Sequence, residues 1–99
     1  MDTHMRGNIE RYIDDTLTQS KLETANKLFS DFFSPMVGDI GNALFGYVIG
    51  RTLEFAFFSI YARYHRTATV YELKEIKEIL ERRSMEIKSK INTLTNKWH

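Results

Sequence analysis

The stretch IGNALFGYVIGRTLEFAFFSIYA, residues 40–62, decides the reading of this chain. It is strongly apolar and is interrupted by charge only at Arg51 and Glu54. Wound as a helix, it sorts itself. Asp39, Asn42, Gly46, Gly50 and Glu54 fall along one small or polar stripe, and Phe45, Val48, Ile49, Leu53, Ala56, Phe57 and Ile60 cover the opposite side. The competing reading is a β-hairpin that turns at Gly50-Arg51 between two aromatic and β-branched runs. Helical spacing of the small-polar stripe favours the helix, and the hairpin stays open as the alternative. A membrane span is disfavoured, because Arg51 and Glu54 would sit near the bilayer centre at a cost of about 2.5–3.5 kcal/mol each.

Gly46 and Gly50 have small-xxx-small spacing within this segment. An interior glycine costs a helix about 1 kcal/mol relative to alanine, a cost that close backbone approach between helices offsets. Gly46 and Gly50 are therefore expected in a tight helix–helix contact, within the chain or across a dimer axis. Gly38 and Gly41 are expected in a loop or at the helix start. Arg51 and Glu54 are three residues apart, and charges in such surroundings persist only when paired. With Phe57 they complete the expected helix-packing interface: Gly46, Gly50, Arg51, Glu54 and Phe57.

Moving towards the C-terminus, Thr69-Val70-Tyr71-Glu72 is a capping-box pattern that opens a helix. Beyond it Leu73, Leu80, Ile87 and Leu94 recur every seven residues, and Ile76, Ile91 and Trp98 fill neighbouring rows. Glu78/Arg82 and Glu86/Lys90 are spaced for i,i+4 pairs. The expectation is a helix of roughly 25–28 residues, about 40 Å long. Arg83, Ser84 and Lys90 interrupt the stripe where a coiled coil needs apolar groups, which favours a bundle helix with a wet seam.

Towards the N-terminus, Ile9, Tyr12, Ile13 and Leu17 form one stripe, and Leu22, Ala25, Leu28, Phe29 and Phe32 form a second. The five-residue step between them breaks the helical period, and Ser20-Lys21-Leu22-Glu23 places another capping-box pattern at the break. This predicts a helix over 8–18 and another over 21–33, or one kinked helix, ending before Ser34-Pro35. Residues 1–7 are expected to be a disordered tail, with 8–99 a single helical domain.

Ninety-nine residues rarely support more than one core. Hydrophobic content of 42% and charged content of 27% are those of an ordinary globular chain, which argues against intrinsic disorder. Seven Phe, five Tyr and one Trp are more rings than a compact interior of this size holds, so some are expected between chains. One proline and five glycines are too few for an all-β fold with its many turns. There is no cysteine, hence no disulfide framework or thiolate chemistry. Together with the lack of a signal-peptide pattern, this predicts a cytoplasmic protein. The net charge of +1 hides an asymmetry. Residues 1–60 carry five Lys/Arg against eight Asp/Glu, whereas 61–99 carry nine against five.

Tyr61-Ala62-Arg63-Tyr64-His65-Arg66 interleaves aromatic and basic residues. Arg63, Tyr64, His65 and Arg66, with Lys74 and Lys77, form a candidate nucleic-acid surface in which the cations meet phosphates and the rings stack on bases. Five Glu between 72 and 86 dilute that field, and acidic residues at the start of the next helix argue against a helix-turn-helix. His4, His65 and His99 have no metal-ligand spacing, and no phosphate loop follows the glycines. Glu10 and Asp14 share a helix face with Arg6 and Arg11 close by, which reads as a solvated surface. No cofactor, metal or catalytic constellation is expected, and the chain does not read as an enzyme. The expectation is an all-α, up-down-up bundle of three long helices, the first kinked or split, packed as a homo-oligomer. Its expected role is a protein–protein interaction module, with nucleic-acid binding through residues 61–90 as the alternative.

Overall fold

Two residues from the start of the chain, Asp2 accepts a hydrogen bond from the Met5 backbone N–H at 2.8 Å and caps α1 (Thr3–Thr16). The computed structural model describes residues 1–96, and among these it is all-helical: 83% helix, no strand, and four α-helices packed against one another. α1 buries Met5, Ile9, Ile13 and Thr16, a run at helical spacing. The first seven residues are thus not the disordered tail expected of them, since α1 begins at Thr3. Met5 extends the Ile9 stripe by one turn and is only 4% exposed, and the Met1 ammonium lies 2.7 Å from Glu75 Oε1.

The break in the N-terminal pattern is a true separation. α1 closes at Leu17, and α2 (Gln19–Lys27) opens after an extended Thr18. The Ser20–Glu23 capping box does not form, because the helix opens ahead of it and Ser20 lies inside. Gln19 Nε2 donates to Glu23 Oε1 at 2.9 Å instead. Leu28–Phe32 continues α2 as a π-helical turn, closed by the Phe33 N–H donating to the Leu28 carbonyl at 3.2 Å.

α3 (Ile40–Tyr64) is one continuous 25-residue helix, which removes the hairpin alternative. Asp39 caps it by accepting from the Asn42 N–H at 3.0 Å, and His65 ends it in a left-handed conformation at φ 55°. Leu44, Val48, Thr52, Ala56 and Ile60, spaced four apart, are all fully buried. The one polar member, Thr52, donates its hydroxyl to the Val48 carbonyl at 2.8 Å and so carries no unmet hydrogen bond into the core.

α4 (Val70–Asn96) begins as its sequence predicts. The Glu72 N–H donates to Thr69 Oγ1 at 3.2 Å, and the Thr69 N–H donates to Glu72 Oε1 at 2.8 Å. Its core stripe is shifted from the seven-residue row. Ile76, Ile79, Ile87, Ile91 and Leu94 are buried, while Leu73 is 41% exposed and Leu80 half-buried. The row starting at Leu73 follows a strict 3.5-residue repeat, whereas the buried face of a straight helix follows 3.6. The continuation of the stripe to Trp98 lies outside the described residues.

Arg83 fills the wet seam. Its guanidinium bridges to Glu10 at 3.2 Å, to Asp14, and to Glu86 at 2.9 Å, and it donates to the Glu10 carbonyl at 3.3 Å. Hydrogen bonds to Glu86, Asp14 and Glu10 favour the charged guanidinium and raise its pKa against the cost of burial. The i,i+4 pairs expected within α4 are absent among the described residues. Glu86 turns to Arg83, Arg82 reaches Glu10 at 3.3 Å, and Lys77 pairs with Glu81 at 3.5 Å. The charges of α4 are used to hold α1 in place.

Candidate interaction face

α3 has a covered side and an open side. An 18-residue window of this helix is long and apolar enough to cross a membrane, yet only 28% of it is buried. Core helices of soluble proteins satisfy the same length and composition, but they are mostly buried. The open side carries Gly46, Gly50 and Glu54, then Phe57 (42% exposed), Phe58 (72%) and Tyr61 (59%).

The two glycines do not serve packing inside the chain. A methyl group added to Gly46 or Gly50 would meet nothing within 4 Å. Neither has a positive φ, so the backbone does not require glycine there. What remains is the surface they create: a strip along α3 where nothing projects. The expected intrachain contact for this pair is not formed, and Gly38 and Gly41 lie before and at the start of the helix as expected.

Beside the strip, Leu53, Phe57, Phe58 and Tyr61 join Thr67, Ala68 and Leu73 to line an open groove of about 740 Å³ between α3 and α4. Val70 and Tyr71, at 64% and 78% exposed, lie at the nearby start of α4. Gly50 and Glu54 also line the groove, and Phe57, which the helical sorting set opposite the glycines, lies on their side. Phe58, Tyr61 and Leu73 belong to this surface although the sequence reading did not assign them to it. The signal was present: 54, 57, 58 and 61 share one face of a helix by i,i+3 and i,i+4 spacing.

Arg51 sits on the flank of the open side. Its guanidinium lies 5.5 Å from the Tyr47 ring centre and 5.9 Å from that of Tyr12, and Tyr12 in turn stacks on Phe55 with centroids 4.3 Å apart. Tyr47 is the largest influence on Arg51 and raises its pKa against desolvation, with Tyr12 adding to the rise. Among the described residues neither Arg51 nor Glu54 has an ion-pair partner, so the expected pairing of the two is not made within the chain.

The basic-aromatic cluster forms at the C-terminal end of α3, but its cations are occupied. Arg63 reaches Asp2 at 2.7 Å and packs over Tyr64 at 5.6 Å. Arg66 binds Glu72 through two nitrogens, at 2.7 and 3.2 Å, and lies 4.7 Å over the Tyr64 ring. The Arg66 bond and the Thr69 hydrogen bonds, acting against burial, hold the Glu72 carboxyl down to about 2. His65 closes the helix and meets Tyr61 edge-on at 6.3 Å. Lys74 and Lys77 are exposed on α4, with Lys77 engaged by Glu81. Of the six, Arg63, Tyr64, His65 and Arg66 come together, and two of the four carry carboxylate partners.

A second apolar surface escaped the sequence reading. Phe32 (73% exposed), Phe33 (41%) and Met36 (75%) crown the connection from α2 to α3, with Leu28 (42%) below them. Its signal was an aromatic pair directly before Ser34-Pro35, where the chain leaves its helix. Among the described residues no group of three His, Cys, Asp or Glu is placed to hold a metal ion, and no buried side-chain polar atom lacks a hydrogen bond.

Comparison with known proteins finds no match to this chain: no family model, no curated protein and no solved structure resembles it significantly.

Proposed function

We propose that this chain is a small helical protein–protein interaction module that acts as a homodimer or higher oligomer, without chemistry of its own. The observation that carries this reading is the open side of α3, an apolar helix with under a third of its most apolar window buried. Contiguous exposed apolar surface of this kind marks an interaction site in a soluble protein. In this reading α1 and α2 form one broken arm, and the arm, α3 and α4 make an up-down-up bundle in the cytoplasm, with α3 buried between chains. Two alternatives draw less support. Nucleic-acid binding needs free cations, and Arg63 and Arg66 are held by Asp2 and Glu72. Membrane insertion would carry Arg51 and Glu54 into lipid and strip α3 of the buried contacts made by Val48 and Ile60.

The test is solution mass by light scattering across a concentration series, with circular dichroism on the same samples, for the wild type and Phe58→Ser. The wild type is expected at twice the 11.7 kDa chain mass or more. Phe58→Ser is expected to shift towards monomer with helix content unchanged, since its side chain is 72% exposed in the single chain. A wild type that stays monomeric at every concentration overturns the reading.

A further inference from the structure

The open side of α3 is asymmetric along its length, and the asymmetry limits what can dock on it. Its N-terminal half is flat, built from Ala43, Gly46 and Gly50, and its C-terminal half projects, built from Phe57, Phe58 and Tyr61. A second copy laid parallel would oppose bulk to bulk and leave a gap between the two flat halves. A second copy laid antiparallel seats each bulky half on the other's flat half. The charges make the same choice. In a parallel pair related by a two-fold along the helices, Arg51 lies on one flank and the partner's Glu54 on the other, so no bridge forms between them. In an antiparallel pair with its two-fold axis level with Thr52 and Leu53, Arg51 falls opposite the partner's Glu54, and the relation repeats on the other side of the axis.

We propose that two copies of this chain pair antiparallel through α3, with a two-fold axis level with Thr52–Leu53 and two reciprocal Arg51–Glu54 bridges between chains. The proposal rests on the self-association reading above and specifies its geometry. Neither charge is committed elsewhere to an ion pair among the described residues, and both lie on the same flank of the helix, the relation a two-fold axis preserves. The same register brings Phe57 and Phe58 of one chain level with the partner's Val48 and the partner's Tyr47, on the stretch between Gly46 and Gly50. There the missing Cβ atoms leave the backbone open to close approach. Tyr61 falls within one residue of the level of the partner's Ala43.

The absence of cysteine makes the test clean. Ala43→Cys and Tyr61→Cys are made separately, oxidised alone and as a mixture, and read on non-reducing gels. Their unoxidised solution masses are measured in parallel. The mixture is expected to give a cross-linked heterodimer. Each variant alone should give almost none, because its two copies of the same position are separated by about 27 Å at 1.5 Å per residue. Self-cross-linking of either single variant, with dimeric mass, overturns the antiparallel geometry and leaves self-association standing. Monomeric mass for the unoxidised wild type overturns both. As a second reading, Glu54→Arg is expected to weaken the dimer roughly tenfold, and Arg51→Glu added to it to restore most of the loss. A double variant as weak as the single one overturns the bridges.

Discussion

α3 and α4 are nearly the same length, 25 and 27 residues, and they solve opposite problems. α4 spends its polar residues on one side and its isoleucines on the other. Where the core-facing stripe meets a charge, at Arg83, that charge ties α4 to Glu10 and Asp14 of α1. α3 is apolar nearly all round, so its one chain cannot cover it: Val48 and Ile60 are fully buried while Phe58 and Tyr61 face solvent. A helix covered inside the chain shows sharp amphipathic patterning, and a helix left half-open shows hydrophobicity over more of its circumference than its chain covers.

Breaking the covered side of α3 gives the largest expected effect. Ile60→Ala removes a fully buried side chain and is expected to cost about 2–5 kcal/mol, read as a lower midpoint in urea unfolding at fixed protein concentration. A loss under 1 kcal/mol would mean that the α3 core is less tightly packed than the burial pattern implies. On α4, Arg83→Met keeps the stem that packs in the seam but removes the bridges. The expected loss is about 1–3 kcal/mol, between the values for exposed and buried ion pairs, because Arg83 is mostly buried while its partners are 35–62% exposed. The smallest effect has the opposite sign. Gly50→Ala adds a methyl group in open space, so the separated chain is expected to gain about 0.5–1 kcal/mol from helix propensity while self-association weakens several-fold. Melts at dilute and concentrated protein separate these two contributions.

Much of the fold was legible. The capping box at Thr69, the helix stop before Pro35 and the helical spacing of residues 40–62 are local signals, and each is realised in the structure, although the buried row of that helix runs through Leu44 and Thr52, which the sequence reading did not assign to it. What could not be read locally depended on a distant partner. Met5 looks like a tail residue until α1 docks it in the core, and Arg83 looks like a defect until Glu10 and Asp14 arrive from some seventy positions away. The site was legible in part. Gly46, Gly50, Glu54 and Phe57 do share the open side, but the neutralisation of Arg63 by Asp2 crosses most of the chain and left no mark in the sequence.

The burial of α3 beneath α4 also has a consequence in time. Ile76, Ile79 and Ile87, which complete the core, lie after α3 in the chain. At about 5–20 residues per second, a ribosome needs seconds to deliver the α4 segment after α3 is made. For that interval α3, the most apolar helix of the protein, has only α1 and α2 to pack against, and the side that α4 covers is open as well as its outer face. Apolar surface exposed in this way is what makes incompletely folded chains prone to aggregate.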